Sequence, residues 1–73
     1  MSELKNISVK DILFVLNKLD YHIIRQKGSH IILKNQEGDL IVVPNHKVLK
    51  IGTVLQIIKV SKLTKEEFLE YLK

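Results

Sequence analysis

Tyr21-His22-Ile23-Ile24-Arg25-Gln26-Lys27-Gly28-Ser29-His30-Ile31-Ile32-Leu33-Lys34 is the stretch whose reading decides the fold. Two segments rich in β-branched and apolar residues flank a pair of small residues, and Gly28 supplies the backbone freedom that a tight connection needs. The pattern predicts two antiparallel strands, Tyr21–Lys27 and His30–Lys34. Because side chains alternate along a strand, His30, Ile32 and Lys34 share one face while Ile31 and Leu33 take the other. Both faces are therefore partly apolar. The turn Lys27-Gly28-Ser29-His30 is basic and delivers a histidine to the first position of the second strand, which makes it the expected place for an active site.

Working outward, Asn35-Gln36-Glu37-Gly38-Asp39 is a turn cluster. Leu40-Ile41-Val42-Val43 then reads as a third strand, ended by Pro44, which lacks the amide that a central ladder requires. Upstream, Ser8 and Asp11 have the spacing of a capping box, in which hydroxyl and carboxylate satisfy free amides at a helix start. Ile12, Val15, Leu16 and Leu19 follow at helical spacing, with Leu13 and Phe14 widening the apolar face and Lys10, Asn17 and Lys18 outside it. Downstream, Asn45 to Ile51 is polar and basic, and predicts a surface loop containing His46, Lys47 and Lys50. Thr53 is the expected cap of a second helix carrying Val54, Leu55, Ile57 and Ile58 and ending near Val60. Thr64-Lys65-Glu66-Glu67 is another capping box, and Phe68, Leu69 and Leu72 form the stripe of a short last helix.

The predicted class is α+β: a three-stranded antiparallel sheet with helices packed on one face. The order helix, three strands, helix, with a short C-terminal helix added, is similar to that of double-stranded RNA binding domains. At 73 residues the chain is one domain, 1–73, with a short N-terminal tail expected over 1–6 and a folded core over 7–73. A domain this small buries roughly 60% of its unfolded surface and has room for one modest core, so any site lies at the surface. Apolar residues at 45% and charged residues at 27% form an ordinary globular balance and exclude a disordered chain. With no cysteine and three scattered histidines, neither a disulfide framework nor a metal cage is expected, and no cofactor is implied. No apolar signal core and no run near the ~20 residues of a membrane span is present, so a soluble, cytoplasmic protein is expected.

The net charge of +4 is concentrated in the middle of the chain. Between Arg25 and Lys62 the basic residues are Arg25, Lys27, Lys34, Lys47, Lys50, Lys59 and Lys62, whereas the acids are Glu37 and Asp39, both in the predicted turn. Such a concentration attracts a polyanion and speeds encounter with nucleic acid. Lysines that merely solvate a small surface would give the same count.

Arg25-Gln26-Lys27-Gly28-Ser29-His30, then Val43-Pro44-Asn45-His46, then Gly52-Thr53 at a helix start, resembles the HicA family of toxin ribonucleases. The resemblance spans nearly the whole chain, including the final Thr64-Lys65-Glu66-Glu67-Phe68-Leu69. It implies an mRNA interferase with a fold similar to a double-stranded RNA binding domain, paired with a HicB-like antitoxin, the free toxin being a monomer or assembled with that antitoxin. It also implies that His30 is the catalytic residue. The chain departs from the family pattern at Ile31, where members often carry a second histidine or a polar residue, and at Leu19-Asp20-Tyr21, where many have glycine before the aromatic.

The chemistry can be argued from the residues themselves. RNA is cut without metal when a base removes the 2′-hydroxyl proton and that oxygen attacks the adjacent phosphate, leaving a cyclic phosphate. Imidazole, with an ordinary pKa near ~6.5, suits the task at cellular pH, as base or as acid. Arg25, Lys27 and Lys34, with the amides around Gly28 and Ser29, are the candidate donors to the phosphate. His46, Lys47 and Lys50 are candidate RNA contacts, and His22 reads as structural. Ser29 has no aspartate or second base placed for a triad, so it reads as a turn hydroxyl that bonds backbone or phosphate. Three classes stay open on these grounds: a metal-independent endoribonuclease, an RNA-binding module that does no chemistry, and a partner protein that assembles through its apolar strand faces.

Overall fold

A computed structural model of the protein describes Leu4 and residues 6–73. The tail expected over 1–6 falls in part on residues 1–3 and 5, which lie outside the described residues; Leu4 itself is only 7% exposed and joins the core. The described elements are α1 (Val9–Lys18), β1 (His22–Lys27), β2 (His30–Lys34), β3 (Leu40–Pro44), α2 (Ile51–Val60) and α3 (Lys65–Leu72). The sheet is an antiparallel meander in the order β1-β2-β3, with helices on one face, as the sequence predicts.

Alternation along the two inner strands builds the core. Ile31 pairs with Val43 and Leu33 with Ile41, and all four side chains are buried. Ile12, Val15 and Leu16 of α1, Val54, Ile57 and Ile58 of α2, and Phe68 of α3 close over them, joined by Leu4, Ile7, Tyr21 and Leu49. Phe14, by contrast, is 48% exposed and sits beneath the Lys18 ammonium, 4.3 Å from the ring centroid, so it does not widen the packed face. Every residue of β1 is exposed, because the helices cover β2 and β3 and leave this edge strand overhanging.

Both predicted capping boxes form. Asp11 N–H donates to Ser8 Oγ at 3.1 Å and Ser8 N–H to Asp11 Oδ2 at 3.0 Å. Glu67 N–H donates to Thr64 Oγ1 at 3.0 Å and Thr64 N–H to Glu67 Oε1 at 2.8 Å. The start of α2 differs from the expectation. Lys50, not Thr53, is its N-cap, without a side-chain bond to the helix and without an acid in the first turn. Thr53 lies half-buried inside the helix, since Lys50 already has the extended backbone from which the first turn springs.

Helices α1 and α2 end alike. Asp20 N–H donates to the Asn17 carbonyl and Tyr21 N–H to that of Leu16; Lys62 N–H donates to that of Lys59 and Leu63 N–H to that of Ile58. This is the paired bonding of a Schellman motif, with Asp20 (φ 70°) and Lys62 (φ 65°) in the left-handed position usually given to glycine. The two-residue β1–β2 turn is the reverse case: Gly28 has φ +59° and Ser29 a negative φ, the pattern of a type II′ turn with glycine first.

These backbone positions predict opposite outcomes in denaturant titrations. Gly28→Ala should lower stability by about 1–2 kcal/mol, although an added Cβ would meet nothing within 4 Å, because the cost is torsional. Lys62→Gly should raise stability by roughly 0.5–1 kcal/mol by relieving a side chain held at positive φ. A third expectation concerns pH. Burial, then the carboxylates of Asp39 and Glu37, push the Tyr21 phenol above its usual value of 10.0. The folded state then favours the protonated phenol, so this contribution is intact below pH 10 and is lost as pH rises through the raised folded value. Thermal unfolding should show an alkaline loss that is smaller in Tyr21→Phe.

Candidate active site

The site begins with the turn. Lys27 and His30 are the cross-strand pair that closes it, and on its other side His30 pairs with Pro44. Asn45 N–H donates to the Ser29 carbonyl at 2.6 Å, and His46 N–H to the Pro44 carbonyl at 2.9 Å. The loop that carries His46 therefore leaves β3 bound to the turn that precedes His30. At its far end Leu49 N–H donates to the Ile7 carbonyl at 2.9 Å and Val48 bridges Ser8. Leu49 is buried, so the surface loop expected from Asn45 to Ile51 is pinned at both ends and inserts an apolar anchor into the core.

Strand β1 is in phase with the site because of an irregularity. Lys27 pairs with His30, Gln26 with Ile31 and Arg25 with Ile32, but the next pairs are Ile23 with Leu33 and His22 with Lys34. Ile24 is the extra residue of a β-bulge, and it shifts the alternation by one position. The uncovered face then presents His22, Arg25 and Lys27 from β1, His30, Ile32 and Lys34 from β2, and Leu40, Val42 and Pro44 from β3.

Of the residues singled out in the sequence, Arg25, Lys27, His30 and Lys34 thus share one face, with Gly28 and Ser29 at its tip. His46 and Lys47 follow directly from Pro44, the partner of His30. Lys50 is not on that face; it occupies the N-cap of α2. His22, read from the sequence as structural, lies at the surface. Its side chain is 62% exposed on the open face, with Nε2 3.7 Å from an Asp20 carboxylate oxygen. Counting by twos through Ile23-Ile24 sends His22 to the wrong side, and the bulge that corrects the count leaves no mark in residue type.

The electrostatics are graded along the strands. Among the described residues the ion pairs are His22–Asp20 and Lys73–Glu70, so Arg25, Lys27 and Lys34 have no carboxylate partner there. Acids gather at the end away from the turn: Asp20 precedes β1, and Glu37 and Asp39 lie in the β2–β3 connection, where Asn35 ties them down by accepting from Asp39 N–H at 2.8 Å. The turn end carries Lys27 and His30, with Lys47 nearby in the chain. An anion approaching the face is drawn toward His30. Groups that assist His30 must come from across the sheet, since Ile31 points into the core at 4% exposure. Among the described residues no group of three or more His, Cys, Asp or Glu side chains converges as a metal site, and no helix is long and apolar enough to cross a membrane.

Comparison with known proteins identifies the arrangement. No curated protein matches the chain. A family model described as the HicA toxin of bacterial toxin-antitoxin systems matches residues 9–63, from the first residue of α1 to the end of the Schellman motif after α2. The match contains the whole sheet, the turn and the pinned loop, and leaves α3 outside. Covering most of the 73 residues, it shows that the chain belongs to the HicA family of bacterial toxin–antitoxin toxins.

Proposed function

We propose that this toxin is a metal-independent endoribonuclease that cleaves mRNA, with His30 as the proton-transfer residue. The observation that carries the reading is the cross-strand row Lys27–His30–Pro44: an exposed imidazole held beside an ammonium that has no carboxylate partner among the described residues, at the positive end of an uncovered face. His30 takes the proton from a ribose 2′-hydroxyl as its oxygen attacks the adjacent phosphorus. The imidazolium then returns the proton to the 5′-oxygen as the phosphorus–oxygen bond breaks, leaving a 2′,3′-cyclic phosphate and a 5′-hydroxyl. Lys27, with Arg25 and Lys34 further along, offsets the charge that develops on the phosphate oxygens. In this reading the amides and hydroxyl of the Gly28-Ser29 turn bond the same group, and His46 and Lys47 hold the flanking strand.

A toxin of this kind needs a partner that silences it. A HicB-like antitoxin that covers the open face would bury His30 and meet Arg25, Lys27 and Lys34 with acidic groups. Among the described residues Arg25, Lys27 and Lys34 form no ion pair, which leaves them open to either occupant.

The decisive experiment is His30→Ala in an RNA cleavage assay with product analysis. His30 is exposed and outside the core, so the variant should keep the native circular dichroism and its affinity for RNA while its cleavage rate falls about 10²–10⁴-fold. Unchanged cleavage would remove His30 from the chemistry. A wild-type protein that binds RNA tightly and never cuts it would identify a binding module instead.

A further inference from the structure

We propose that the open face of the sheet is a groove for an extended single strand of RNA, with phosphates along β1 and bases against β3. The inference deepens the nuclease reading by naming the form of its substrate, and it rests on that reading only for what happens at His30.

The face is a grid of three cross-strand rows: Lys27–His30–Pro44, Arg25–Ile32–Val42 and His22–Lys34–Leu40. Read along the strands, it has a polar, basic-residue column on β1 with Arg25 and Lys27 as its cations, an apolar column on β3 and a mixed one between them. The apolar column is conspicuous, since Leu40 is 54% and Val42 49% exposed and the described helices lie on the other side. A single strand of RNA has the same division, anionic along one edge and unpaired bases along the other. Base faces pack on such surfaces with little regard to sequence.

Spacing selects the extended form. Along β2 and β3 successive rows are about 7 Å apart, twice the ~3.4 Å rise per strand residue, with Ile24 the bulged extra residue of the last step on β1; the outer columns are about 10 Å apart, twice the strand separation. A stacked strand advances only ~3.4 Å per nucleotide, so one phosphate per row requires an unstacked chain. Duplex RNA turns its bases inward and offers phosphates and 2′-hydroxyls, which would leave Leu40 and Val42 idle. A second copy of the same face would set Arg25, Lys27 and Lys34 against their own kind. The groove ends where Asp20, Glu37 and Asp39 gather, at the row of His22, Lys34 and Leu40.

The test uses the full-length chain carrying His30→Ala, which leaves RNA intact, and a labelled short RNA of mixed sequence, alone or annealed to its complement. Fluorescence anisotropy should show the single strand bound at least about tenfold more tightly than the duplex. Leu40→Ser with Val42→Ser should weaken single-strand binding about tenfold, leaving duplex binding and the salt slope unchanged. Arg25→Gln should instead reduce the slope against log salt by about 0.7. Equal affinity for duplex, unchanged affinity of the double variant, or a double variant that alters only the mass in sedimentation would each overturn the proposal, the last by showing a protein contact. Should the double variant misfold, Val42→Thr reads the same contact: its single-strand affinity must fall severalfold, and unchanged affinity overturns the proposal. Cleavage by the wild-type chain is scored separately, so a groove without chemistry and chemistry without a groove give different results.

Discussion

The phase of β2 is the constraint on which the molecule depends. Its five residues serve two surfaces by turns, Ile31 and Leu33 to the core and His30, Ile32 and Lys34 to the outside. A slip of one residue would bury an imidazole and an ammonium and expose two large aliphatic side chains, an exchange no small core survives. The Gly28-Ser29 turn sets this phase from one side, because a type II′ loop admits two residues and His30 is the next. Packing of Ile31 against Val43 and Leu33 against Ile41 sets it from the other. The position of the histidine is thus a by-product of the same restraints that define the core.

Around this strand the fold separates labour between layers. The helices stabilise: they cover one side of β2 and β3, and α3 is tied to α1 by the Lys18 ammonium, which donates to the Tyr71 carbonyl at 3.0 Å. The other side is left to solvent and charge. The connection from β3 to α2 links the two, since Asn45 is bonded to the turn and Leu49 is seated in the core. His46 and Lys47 lie between those two anchors, so a loop that reads as polar surface sequence is held beside the Gly28-Ser29 turn by its backbone.

Most of this was legible in advance, for identifiable reasons. Capping at Ser8 and Thr64 needs two side chains at a fixed offset, and strand alternation needs a period of two; both are local properties. The features that escaped are those in which backbone geometry overrides residue type. Thr53 has the chemistry of a cap but lies past the first turn. Asp20 and Lys62 fill left-handed positions where glycine would announce a helix end. Phe14 and Leu49 exchange the environments their neighbours suggest, the aromatic going to solvent under a lysine and the loop leucine to the core. On the open face, the shared side of His30, Ile32 and Lys34 was readable from the alternation of β2, whereas the placement of His22 was not, because it depends on one unpaired residue, Ile24, in a strand exposed at every position. The apolar column on β3 was equally hidden. Leu40 and Val42 look like core residues until the register assigns them to the other face.

The overhang of β1 has a dynamic consequence. Held on one flank by β2 and exposed at every residue, this strand is the kind of segment that opens locally at a fraction of the global unfolding free energy. Amides of β1 should therefore exchange with solvent deuterium ahead of those of β2 and β3. The strand carrying Arg25 and Lys27 can lift and reseat while the core stays intact. A ligand bound across the face would bridge β1 to β2 and add a restraint on that edge, so its binding would be written in the protection of the outermost strand.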